Sequence, residues 1–111
     1  MKIYIAGPYS ADTKEERLAN THYTMDAWIA LVKKGHTPFC PHLYHYMDEH
    51  AKLRGIEFSY SVWMEQDEAW LRECDALLFL GPSPGANKEL AIAIEDGMGV
   101  YYNINDVPEA N

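Results

Sequence analysis

Residues 76–80, Ala-Leu-Leu-Phe-Leu, form an unbroken apolar run of strand length that stops at Gly81-Pro82-Ser83-Pro84-Gly85. A strand without polar alternation has no solvent face, so both its faces must be covered, as in a parallel sheet held between helices. The rest of the chain supplies matching pieces. Lys2-Ile3-Tyr4-Ile5-Ala6 is short and β-rich and is closed by the turn residues Gly7-Pro8. His36 to Cys40, closed by Pro41, reads as a second strand, and Pro38 within it suits an edge position because proline cannot donate to a ladder. Val100 to Asn103, after Gly97 to Gly99, reads as the last.

Helical signals fall between these strands. Asp12 stands three residues before Glu15, the spacing of a capping box, and Leu18, His22, Met25, Ile29 and Val32 recur at steps of four and three. The pattern predicts a helix from about Thr13 to Lys34 buried on that stripe, with Gly35 as its left-handed end. A second helix is predicted from about Ser59 to Glu73, with Tyr60, Trp63, Asp67, Trp70 and Cys74 on one face, and a third from about Ala86 to Asp96. Pro41 to about Glu57 has no sustained period and reads as a long loop, which in a small domain is more often functional than idle. Such alternation predicts an α/β fold: a flavodoxin-like or Rossmann-like three-layer sandwich on a mostly parallel sheet of about four strands, order 2-1-3-4. Ligands of such sheets bind beyond the carboxyl ends of the strands where the order switches, so the loops at 7–12 and 81–88 should face each other across a site.

The 111 residues suit one domain spanning 1–111, and 48% hydrophobic residues give it a core. A formal charge of −8 argues against DNA, RNA or an anionic membrane as partner. No apolar stretch approaches the ~20 residues that span a bilayer, and no signal-peptide pattern is present, so a soluble cytoplasmic protein is expected. Cys40 and Cys74 read as buried thiols in a reduced compartment.

Four groups carry candidate chemistry. Glu89 falls in the first turn of the third helix, where the dipole favours an ionised carboxylate; it is either a nucleophile or simply a favourable helix-start charge. Asp67 lies between Trp63 and Trp70 on its helical face. Either lost hydration raises its pKa and lets it hold a proton to donate, or it is a solvated rim residue. Tyr4 reads as a core aromatic, with hydrogen bonding to a catalytic carboxylate as the alternative. The segment His42-Leu43-Tyr44-His45-Tyr46-Met47-Asp48-Glu49-His50 fits no established metal motif, and its histidines, His42 first among them, line a substrate or face solvent. No metal or cofactor is expected.

Taken together, Lys2 to Tyr9, Gln66 to Asp75 and Pro82 to Leu90 resemble the nucleoside 2-deoxyribosyltransferase superfamily, which includes the deoxynucleoside 5'-monophosphate N-hydrolases. The resemblance covers nearly the whole chain. It implies that Glu89 is the nucleophile, that Asp67 assists the departing base and that Tyr4 hydrogen-bonds the nucleophile. It also implies substrate contacts from Gly7, Pro8, Tyr9 and Gly85, and from Ser83, which matches a serine that contacts the 5'-phosphate in the hydrolases. Gly7-Pro8-Tyr9 resembles the transferase opening, and Pro8 and Ser10 stand where the hydrolases carry serine and arginine. The expected substrate is a small deoxynucleoside or deoxynucleotide, with transfer of the sugar to another base ahead of hydrolysis. A non-catalytic nucleotide-binding module and a metal-dependent hydrolase centred on the His42–His50 segment are the alternatives from other classes. The resemblance further implies a homodimer or higher oligomer, with Asn103, Asn105 or Asn111 completing the sugar site of a neighbouring subunit.

Overall fold

A computed structural model describes residues 1–110. Four strands, β1 (Lys2–Ala6), β2 (Thr37–Phe39), β3 (Ala76–Phe79) and β4 (Gly99–Tyr101), form one all-parallel sheet in the order β2-β1-β3-β4. The α/β architecture and strand order therefore match the expectation, and the Pro38 strand is indeed an edge. Helices α1 (Lys14–Lys33), α2 (Tyr44–Leu53), α3 (Tyr60–Leu71) and α4 (Pro84–Glu95) complete the three layers. No helix among the described residues is long and apolar enough to cross a membrane.

Alternation along the central strands divides the core in two. Ile3 and Ile5 of β1 with Ala76 and Leu78 of β3 pack against Leu31 of α1, Cys40 and Val107. Tyr4 and Ala6 with Leu77 face the other way, against Leu71 of α3 and Ala86 and Ala93 of α4. Tyr4 is paired with Phe39 on one side and Leu77 on the other, which places its side chain at the middle of the sheet.

Local expectations needed correction in three places. The N-cap of α1 is Thr13, whose hydroxyl accepts from the Glu16 amide at 3.1 Å, so Asp12 is not the capping residue. Its buried face runs through Thr21, Thr24 and Leu31, whereas Ile29 and Val32 are exposed. Two threonines pass for polar positions in a periodicity, but Thr21 and Thr24 return their hydroxyls to the carbonyls of Arg17 and Thr21 and can be buried without orphaned groups. Finally, the segment expected to be a loop contains α2. That helix is stabilised by the i,i+4 pairs His45 with Glu49 and Asp48 with Lys52 rather than by an apolar stripe, and it ends at Gly55, which like Gly35 has a positive φ.

The last described residues dock on their own chain at the amino ends of the strands. Lys34 Nζ donates to the Val107 carbonyl at 2.8 Å, the Ala110 amide donates to Lys34 at 2.8 Å, and His36 Nε2 lies 2.6 Å from the Pro108 carbonyl. Asn103 accepts from the Asn105 amide at 2.8 Å, which uses its side chain locally; Asn111 lies outside the described residues. Cys40 is buried and Cys74 half-buried, both as free thiols.

Candidate functional site

Beyond the carboxyl ends of β1 and β3 lies a pocket of about 470 Å³. Its walls come from the β1–α1 loop (Gly7, Tyr9), the entry to α2 (His42, His45), α3 (Trp63, Asp67) and the start of α4 (Ser83, Gly85, Glu89). The two loops expected to face each other do so. Of the residues singled out in the sequence, Gly7, Tyr9, His42, Asp67, Ser83, Gly85 and Glu89 border this pocket. Tyr4 stands behind it and Pro8 beside it. Pro8 supports the wall: its carbonyl lies 3.0 Å from His42 Nε2, and its ring packs beside Gly81, 3.4 Å from where a Cβ there would stand.

Helix α4 delivers Glu89. Ser83 caps it, accepting from the Ala86 amide at 3.0 Å, and Pro84 follows at the first helical position, where a missing N–H costs nothing. Glu89, five residues later, is 5% exposed and accepts a hydrogen bond from the fully buried Tyr4 hydroxyl. Tyr4 is thus both the core aromatic and the carboxylate partner. Burial pushes Glu89 up to about 8; the Tyr4 hydrogen bond opposes that shift and the charge of Asp67 adds to it. The expectation that Glu89 lies in the first turn of its helix, where the dipole keeps it ionised at neutral pH, is corrected: α4 begins at Pro84, which puts Glu89 in the second turn where the dipole has faded, and desolvation dominates. Tyr4 is itself raised, by burial first and by Glu89 second, and so stays a donor.

Asp67 reaches the pocket from α3 and is raised to about 7 by burial. Its Oδ1 is buried with no hydrogen-bond partner among the described residues. Aromatic surface surrounds this helix: Trp63 packs on Tyr44 with ring centroids 5.4 Å apart, and Trp70 stacks on Phe39 at 5.3 Å. Gly85 belongs here for a steric reason, since a Cβ would lie 3.3 Å from Tyr60 Oη and crowd the mouth.

The opposite end is built by α2. His42 Nε2 points at the carbonyls of Gly7 and Pro8, at 3.1 and 3.0 Å, and burial lowers its pKa, so the ring is neutral. Tyr9 Oη lies 2.7 Å from His45 Nδ1. His45 and Asp48 were legible only as members of a histidine-rich segment; with α2 unrecognised, nothing in the pattern showed that positions 45 and 48 share one face. Among the described residues no three His, Cys, Asp or Glu side chains gather as a metal site.

The family model for a domain of unknown function, DUF7768, matches residues 1–103, and the chain belongs to that family. None of the curated proteins compared with it matches.

Proposed function

We propose that this chain cleaves the N-glycosidic bond of 2'-deoxynucleosides or their 5'-monophosphates and transfers the sugar to another nucleobase. The observation that carries the reading is the placement of Glu89, held by Tyr4, and Asp67, whose buried Oδ1 lacks a partner among the described residues, on one pocket. This is the division of labour in retaining glycoside cleavage, where one carboxylate attacks and the other manages the leaving group's proton. The ionised Glu89 carboxylate attacks C1' of the deoxyribosyl group, the bond to the base breaks, and protonated Asp67 gives its proton to the departing nitrogen. The nitrogen of a second base then attacks C1', the ester bond to Glu89 breaks and frees its carboxylate, and Asp67 takes the proton from the attacking nitrogen.

With water as acceptor the same residues perform hydrolysis. The observation favouring hydrolysis of monophosphates is the start of α4 on the pocket wall, since helix N-termini bind anions. Incubation with deoxyinosine and adenine, then with deoxynucleoside 5'-monophosphates alone, separates the two outcomes. Base exchange supports transfer, and free base from monophosphates alone supports the hydrolase. Absence of both, with tight nucleotide binding, would leave a binding module.

Asp67→Asn should slow substrates with poor leaving groups by on the order of 100-fold, and activated ones much less. Because the competent form carries its one proton on Asp67 while the higher value belongs to Glu89, it is the minor one-proton state of the pair, and activity should follow a bell between about 7 and about 8. Asp67→Asn should abolish the alkaline limb. Equal loss on all substrates, with the bell intact, would remove the proton-donor role.

A further inference from the structure

Tyr9 sits between two histidines, with its ring centroid 6.0 Å from His42 and 5.7 Å from His45. Each imidazole is oriented from outside the pocket. Behind His45, its Nε2 lies 3.4 Å from Glu49 Oε1, and Glu49 is held in turn by Lys14 at 3.2 Å. A carboxylate only accepts hydrogen bonds, so the nitrogen facing it carries the hydrogen. In the neutral ring Nδ1 then holds the lone pair, and the Tyr9 hydroxyl donates to it across 2.7 Å. Tyr9's single proton is committed, and its oxygen can offer the pocket only lone pairs.

His42 follows the same logic. The carbonyls of Gly7 and Pro8 accept from Nε2–H, which leaves Nδ1 as a buried lone pair with no partner among the described residues. Asp48, also on the wall, is another acceptor, tied to Lys52 at 3.0 Å. Among the described residues no lysine or arginine side chain borders the pocket, and Arg17, near Tyr9, donates to the Ala11 carbonyl at 2.9 Å. The Tyr9 oxygen thus presents an acceptor at this end, beside the hydroxyls of Ser10 and Tyr44, whereas at the start of α4 opposite the Gly85 N–H and the Ser83 hydroxyl are donors.

We propose that the α2 end of the pocket is a cation-free subsite that takes a hydroxyl of the ligand on the Tyr9 oxygen and rejects phosphate, with Tyr9 as the contact and His45 as its positioning residue. It deepens the glycosidase reading, in which that hydroxyl belongs to the sugar, and it sets the polarity of the pocket. The hydroxylated part of the ligand lies toward α2, and any anionic group lies toward α4.

The test uses the full chain with nitrogen-15-labelled histidine. NMR of the free protein should show both His42 and His45 with the proton on Nε2. Titration with 2-deoxyribose and with 2'-deoxyadenosine should move the Nδ1 signals of one or both rings, and inorganic phosphate should leave them in place. Tyr9→Phe should weaken deoxyadenosine binding by roughly five-fold, the scale of one neutral hydrogen bond. His45→Leu should do the same, and His45→Asn, which returns an acceptor near the Nδ1 position, should restore most of it. A proton on Nδ1 of either ring, histidine signals that respond to phosphate, or unchanged binding by Tyr9→Phe would each overturn the proposal. Base release is measured separately. Sugar-responsive histidines without base release keep the subsite and remove the glycosidase; base release with phosphate-responsive histidines does the reverse.

Discussion

On one face of the sheet Ile3, Ile5, Ala76 and Leu78 meet α1 in a core that contains no carboxylate; on the other, one residue out of step along the same strands, Tyr4 and Leu77 meet α3 and α4 beside Glu89. The two faces share backbone, hydrogen-bond ladder and neighbours. They differ in what their burial does. Apolar burial on the α1 face is favourable without qualification, at ~25 cal/mol per Å² of surface removed from water. On the α4 face burial also desolvates two carboxyl groups and raises both. One side of the sheet holds the fold together, while the other gives up stability at neutral pH and leaves two acids near their ionisation points.

The sharpest way to break that comparison is Glu89→Gln. Activity should fall by several orders of magnitude, because an amide cannot form the ester. Stability should move the other way. Between the ordinary carboxylate value of about 4.3 and the folded value of about 8, folded Glu89 holds a proton that the unfolded chain releases, so wild-type stability declines as pH rises through that window and levels off above it. Thermal melts of the two proteins should nearly coincide at pH 4, and Glu89→Gln should melt progressively higher up to pH 8. A constant difference would mean that the carboxyl is not desolvated.

Leu78→Ala tests the opposite face. It should cost roughly 2–5 kcal/mol in chemical denaturation, as buried leucine truncations do, and leave the pH–activity bell in place. A displaced bell would show that the faces are not independent. Tyr4→Phe lies between the two: it keeps the ring in the core and removes the donor to Glu89. It should lower turnover by about ten-fold and move the alkaline limb to higher pH, since the lost hydrogen bond had opposed the upward shift of Glu89. Ser83→Ala should give the smallest effect, about 1 kcal/mol of stability from the lost cap on α4.

Much of the fold was legible because its signals are local. The apolar run of β3, the proline in the edge strand β2 and the turn after each strand carry their meaning within a few residues. Failures arose where local polarity misstates burial. Thr21 and Thr24 look polar yet turn their hydroxyls onto their own helix, so the inward face of α1 was misread. Helix α2 lacks an apolar stripe because its inward positions include His45 and Asp48, which face the pocket instead of the core.

The sequence by itself determined the alternation of strands and helices, and with it the switch point at which Glu89 and Asp67 had to appear. Only the tertiary structure decided their protonation, because a pKa depends on water excluded by residues distant in the chain: Tyr4 is 85 positions from Glu89, and its hydroxyl meets the carboxylate only when β1 lies beside β3. The same holds at the other end of the pocket. Composition put five histidines in the chain, but which ring nitrogen of His42 carries a proton is set by the Gly7 and Pro8 carbonyls, 35 and 34 positions away, which come into range only on folding, whereas His45 is oriented by Glu49 one turn along its own helix.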